Sequence, residues 1–200
     1  MSVAGLRGFP RAPFARRFDG VTGRRLLWLA VVVMLGFGAA ELPALARMSS
    51  HGTGVLGFEF AGSTDRMREI LTRWGSAGGV AGAREHVFID LGFILGYGVL
   101  LVGACGRLYG SFKDRGRMRT AAIAALLAWG ALIAAAVNVL QKLFLWLEIH
   151  DHVAQPLPAL AAACGAITFT LAMSAALFAV LGTLALRRLP AATELHGGVR

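Results

Sequence analysis

Residues 120–148 read TAAIAALLAWGALIAAAVNVLQKLFLWLE, an apolar run longer than the roughly 20 residues a helix needs to cross a bilayer. Near its end stand Asn138, Gln141 and Lys142, spaced i, i+3, i+4, so all three fall on one helical face. Traced backwards, that face carries Ala135, Ala131, Ala128 and Ala124, while Leu126, Ile133, Val137, Leu140 and Phe144 lie mostly elsewhere. One side is small and then polar; another is bulky. In a lipid solvent, small residues let helices approach closely and polar groups need protein partners or water. The pattern predicts a membrane helix with one face against other helices.

Three further runs have the length and apolarity of spans, at about 26–46, 86–107 and 157–186, with 120–147 as the third of four. The composition agrees: 56% hydrophobic and 16% charged residues, with mean hydropathy +0.65, is not that of a water-soluble domain. The expected fold is therefore all-α, a four-transmembrane-helix antiparallel bundle over residues 26–188. It is flanked by a basic cytoplasmic tail (1–25) and a short cytoplasmic tail (189–200).

The formal net charge of +9 follows the membrane, not nucleic acid. Arg7, Arg11, Arg16, Arg17, Arg24 and Arg25 precede the first span; Arg107, Lys113, Arg115, Arg117 and Arg119 fill the second connection; Arg187 and Arg188 follow the last span. The loop 150–156 has no Lys or Arg. By the positive-inside rule both termini face the cytoplasm of a cell (plasma or inner) membrane, and the basic clusters meet anionic headgroups. Arg66, Arg68, Arg73 and Arg84 in the outer segment 48–85 run against this rule, offset there by Glu59, Asp65, Glu69 and Glu85. The arginine-rich start and Ala44-Leu45-Ala46 also fit a cleaved signal peptide loosely; the length of the apolar run, with Glu41 and Pro43 inside it, favours a retained span.

The segment 48–85 is too long to be structureless. Ser63 or Thr64 caps a helix on which Met67, Ile70, Leu71 and Trp74 form an apolar stripe, and Gly75 ends it. This is a short extracytoplasmic amphipathic helix, lying on the membrane or capping the bundle. Before it, Leu56, Phe58 and Phe60 alternate around Glu59, the pattern of an extended or membrane-dipping segment. Within the spans, Gly36 with Ala40, Gly92 with Gly96, and the series Ala161, Gly165, Thr168, Ala172, Ala175, Ala179 and Gly182 are small-residue contact seams. Pro43 removes a helix hydrogen bond near one end of span one.

The stretch FEFAGSTDRMREILTRWG (58–75), followed by FIDLGFILGYGVLL (88–101) and AVNVL (136–140), resembles a group of small uncharacterised four-span bacterial membrane proteins. Their shared pattern is an FE-x-AG-[ST] segment, a helix ending in Trp-Gly, an acidic residue early in span two and Glu-Asn in span three. The resemblance covers the middle half of the chain. Glu59, Asp90 and Asn138 match; Val137 stands where the pattern has glutamate. It implies the four-span fold and no activity.

Counted at 1.5 Å per residue from the span ends, Asp90, Glu41, Lys142, Gln141 and Asn138 share a band about 6–13 Å below the outer boundary. Ionised groups at such depth are costly unless paired or wet. These five form the candidate polar intramembrane cluster, with Glu59, His86 and Tyr97 as contributors. Either Lys142 pairs with Asp90 or Glu41 and the amides fix helix register, or the cluster is an outward-facing pocket for a cation, a proton or a lipid headgroup. His150-Asp151-His152 lacks a third fixed ligand, so no metal site is expected, and no cofactor motif is present. Catalytic signatures such as a nucleophile elbow, HExxH or P-loop are also missing from the sequence. The expected function is a non-catalytic structural, accessory, or lipid- or ion-binding membrane component, with a membrane-protein partner or a homo-oligomer. The alternative is a small proton, cation or solute transporter using Glu41, Asp90 and Lys142. Cys105 and Cys164 fall at different depths and are expected to be free thiols.

Overall fold

The computed structural model describes residues 11–18, 20–50, 52–75, 78–150 and 152–188. Helix α1 spans Gly20–Ser49, α2 Val55–Glu59, α3 Thr64–Gly75, α4 Gly79–Asp114, α5 Met118–Ile149 and α6 Leu157–Arg188. Among the described residues there is no strand. Helices α1, α4, α5 and α6 are long and apolar enough to cross a membrane, the all-α, four-span architecture expected from the sequence. Each extends beyond the apolar run that announced it. Helix α4 begins seven residues before His86, which shortens the segment expected over 48–85.

The chain divides into two compact units. One comprises Met1–Trp28, Val99–Leu132 and Leu171–Arg200, the other Leu29–Gly98 and Ile133–Thr170. In the first unit, the alanine face of α5 is the packing surface: Ala121, Ala124, Ala125, Ala128 and Ala131 are buried, with Cys105 and Ala175 in the same cores. Bulky residues of the same helix, such as Leu126, are exposed. The tail expected over 1–25 is partly structured. Residues Ala15–Phe18 form a 3₁₀ turn, Phe18 is buried beside Gly103, and the Trp129 indole donates to the Arg11 carbonyl at 3.0 Å. A Cβ on Gly103 would lie 2.6 Å from the Phe18 ring, so this glycine makes room for the aromatic anchor. The remainder of both expected tails, 1–10 and 189–200, lies outside the described residues.

In the second unit, Met48, Phe58, Met67, Ile70, Trp74, Val87, Leu145 and Ile149 form one core. The amphipathic helix α3 spends its stripe here: Met67, Ile70 and Trp74 are fully buried, and Phe58 packs on Trp74 with ring centroids 5.2 Å apart. It caps this unit instead of lying on a surface. Ser63 caps α3, its hydroxyl accepting from the Arg66 amide. On its exposed face Glu69 bridges Arg66 and Arg73, a ladder of small energetic weight. The stretch VLGFE, expected to be extended, is a helical turn from Val55 to Glu59. Turning helically buries Phe58 completely and leaves Leu56 exposed, which a strand alternation would have placed on one face together.

The glycine seams divide. Gly92 and Gly96 lie against α1, where a Cβ on Gly96 would come 2.8 Å from the Met34 backbone nitrogen. Gly36 and Ala40, read as a contact pair, are exposed, and nothing lies within 4 Å of a Cβ built on Gly36. On α6, Ala161, Gly165, Thr168, Ala175 and Gly182 are buried as the seam predicts. Helix α1 continues through Pro43. Both cysteines are free and buried.

Candidate functional site

Five ionisable side chains from four helices converge inside the second unit. Glu41 comes from α1, Glu59 from the last residue of α2, His86 and Asp90 from one face of α4, and Lys142 from α5. Lys142 is the hub. Its ammonium donates to Glu59, makes an ion pair with Asp90 Oδ2 at 2.7 Å and lies 3.2 Å from His86 Nε2. The other ring nitrogen, His86 Nδ1, meets Glu41, and Nε2 also lies 3.1 Å from Glu59 Oε1. The side chains of Lys142 and His86 are 2% and 3% exposed, so these contacts are screened little by water.

The helical register explains the assembly. His86 and Asp90 are i, i+4 on α4 and present two groups to one neighbour. Tyr97, one heptad beyond Asp90, accepts a hydrogen bond from the Asn138 amide at 3.1 Å, and Asn138 is i−4 from Lys142. Glu59 reaches the hub because α2 carries it back onto the unit, between buried Phe58 and exposed Phe60. Burial pushes the Glu59 carboxyl up, but the Lys142 ammonium and hydrogen bonding with the His86 ring outweigh it and hold the carboxyl down at about 2.

Charge does not balance. Three carboxylates face one ammonium, so the cluster carries an excess of two negative charges with a neutral imidazole and one with an imidazolium. His86 is placed to absorb part of that excess. With a neutral ring, Nδ1–H donates to Glu41 and Nε2 accepts from Lys142; with a charged ring, Nε2–H donates to Glu59. One nitrogen thus faces an alternative donor and acceptor, the local geometry of a proton-carrying histidine.

Ligand atoms of Glu59, His86 and Asp90 all lie within 4.8 Å of one another, a spread that one metal ion could bridge. The Lys142 ammonium is within hydrogen-bond reach of all three, so a metal ion there competes with a tethered cation. His150 bonds the Trp146 carbonyl through Nδ1 at 2.9 Å. Asp151 of the His-Asp-His run lies outside the described residues.

The structure therefore brings together Glu41, Glu59, His86, Asp90 and Lys142, with Asn138 and Tyr97 as an adjoining pair. Of the two partners expected for Lys142, Asp90 or Glu41, the structure pairs it with Asp90, and Glu41 meets His86. Gln141 stands apart: its amide nitrogen is buried without a hydrogen-bond partner among the described residues, 2.7 Å from where a Cβ on Gly165 would lie. Sequence reasoning passed over Glu148, which is fully buried with neither oxygen hydrogen-bonded. Its spacing of seven from Gln141 and three from Leu145 was the available signal. No known protein family, curated protein or solved structure matches this chain.

Proposed function

We propose that the protein is a non-catalytic, multi-pass component of a cell membrane that holds one exchangeable proton on the cluster of Glu41, Glu59, His86, Asp90 and Lys142. The observation that carries this reading is the charge excess: Lys142 pairs with Asp90 and part-buried Glu59, Glu41 meets only the His86 ring, and an excess buried charge is costly unless a cation or proton joins it. A proton is favoured over a metal ion because Lys142 already fills the position between Glu59, His86 and Asp90. Glu59, held down at about 2, stays ionised, and the proton is assigned to the His86 ring, whose Nε2 faces both Lys142 and Glu59. The distribution of arginines supports a cytoplasmic location for both termini.

Nitrogen NMR of the His86 ring tests this. The expected result is a ring whose Nε2 gains and loses a proton reversibly as pH is varied over the folded range, with the titration displaced in Glu41→Gln. A ring fixed in one protonation form at every pH at which the protein is folded contradicts the proposal. A second reading, proton or cation transport, is favoured by the two partners available to His86 Nε2. Reconstituted vesicles in which His86→Gln abolishes a proton flux carried by the wild type would favour it over simple binding; equal flux in both would remove it.

A further inference from the structure

A second charged feature, independent of the buried cluster, lies within the first unit. A cavity of about 690 Å³ opens between the segment 11–18, with Gly20, and the last two turns of α4. It is lined by Arg11, Arg16, Arg17, Arg107 and Lys113, with Asp114 as the one acid among the described residues. All five cations are exposed, and among the described residues none of them is in an ion pair. Five cations against one described acid around a concave space repel one another and attract an anion.

The local backbone is built to hold this arrangement. Phe18 and Ala12 are buried anchors, and the Arg11 carbonyl is fixed by Trp129. The 3₁₀ turn packs on α4 at Gly106, where a Cβ would make an ordinary contact 3.5 Å from the Ala15 Cα. Phe14, whose ring lines the same cavity and is 58% exposed, has a φ of 54°. A non-glycine residue in this left-handed region is uncommon and persists where its surroundings hold it. The segment places an exposed aromatic ring beside four guanidinium groups and an ammonium at the ends of two membrane-spanning helices. Guanidinium groups match phosphate oxygens through paired donors, and aromatic rings favour the headgroup level of a bilayer.

We infer that this cavity is a phosphate-binding site, whose ligand is the phosphate of an anionic phospholipid headgroup or of a soluble phosphoester. Its volume lies within the roughly 300–1,000 Å³ of small-ligand pockets, ample for a headgroup.

The full chain, purified in neutral detergent, is offered diphosphatidylglycerol, phosphatidylglycerol, phosphatidylcholine or inorganic pyrophosphate. Retained ligand is counted by native mass spectrometry and thermal stability is followed in parallel. The expected result is retention of and stabilisation by the anionic lipids over phosphatidylcholine. Retention weakens roughly tenfold or more in Arg16→Gln/Arg17→Gln/Arg107→Gln and is unchanged in Arg117→Gln/Arg187→Gln/Arg188→Gln, which removes equal charge outside the cavity. Retention of pyrophosphate with the same dependence on the cavity arginines, without lipid selectivity, assigns the site to a soluble phosphoester. Equal binding of neutral and anionic lipid with no pyrophosphate retained, or equal loss in the two triple variants, overturns the inference. Because the substituted arginines are exposed, circular dichroism and elution profile separate loss of binding from loss of fold.

Discussion

Replacing Lys142 with methionine keeps a long unbranched side chain and removes the hub charge. At the 2.7 Å separation from Asp90, an effective dielectric of about 20 gives a gross attraction of about 6 kcal/mol, and Glu59 adds a second contact. Once the ammonium is gone, Glu59 and Asp90 oxygens within 4.8 Å of each other repel by about 3 kcal/mol on the same basis. Restored hydration and proton uptake return part of this. The net expectation is the about 3–5 kcal/mol typical of a buried pair broken on one side. For a chain of this size that is roughly 10 °C or more in the unfolding midpoint. The assay is thermal unfolding in detergent of Lys142→Met, of Asp90→Asn, and of Lys142→Met combined with Asp90→Asn and Glu59→Gln. The combined variant, with charge removed from both sides, recovers most of the loss. A Lys142→Met protein as stable as wild type, or a combined variant that merely adds the separate losses, would refute the hub.

Glu59, held at about 2 against an ordinary 4.5, contributes stability that is fully present above about 4.5 and is lost as pH falls towards 2. Glu59→Gln should therefore flatten the acid limb of a stability–pH profile; an unchanged limb counts against the contact with Lys142. Gly96→Val should destabilise by about 1–3 kcal/mol or more, because its Cβ would press on the Met34 backbone. Gly36→Ala, with open space at its Cβ, should be neutral or stabilising by about 0.5–1 kcal/mol, and denaturant midpoints compare the two. Trp74→Ala should cost about 3–5 kcal/mol and loosen α3, read as faster backbone amide exchange over Thr64–Gly75. Unchanged exchange there would mean that α3 is held by its other contacts.

Helical period made α5 legible. Small and polar residues of one face are buried, and apolar bulk elsewhere is exposed, because in lipid the packing of small residues selects the contact face. The stripe of α3 was legible too: its hydrophobic face is buried in the second unit's core, and the period announced that face directly. The position of Glu59 was not legible in detail. It depends on α2 folding back across sequence separations of 27 residues to His86 and 83 to Lys142, and no local pattern encodes such a return. Alternation around Glu59 favoured an extended chain, yet burial of Phe58 against Trp74 selected a helical turn. Sequence left Asp90 and Glu41 open as partners of Lys142, since position along a helix does not specify which neighbour a side chain faces; packing gives Lys142 to Asp90 and Glu41 to His86. Gly36 and Ala40 show the same limit from the other direction: their spacing suits a helix contact, but they lie on the exposed side of α1. Composition read the first 25 residues as tail, where Phe18 and the room beside Gly103 order part of them.

Infrared titration of the purified protein, following the carbonyl stretch of protonated carboxyl groups in wild type, Glu41→Gln and Asp90→Asn, addresses the exchangeable proton most directly. If the cluster shares one proton, the wild type shows a titrating carboxyl band, or its complement in the imidazolium bands of His86, that changes in Glu41→Gln or Asp90→Asn. Identical titrations in all three proteins, with no change assignable to the cluster, would contradict an exchangeable proton at this site.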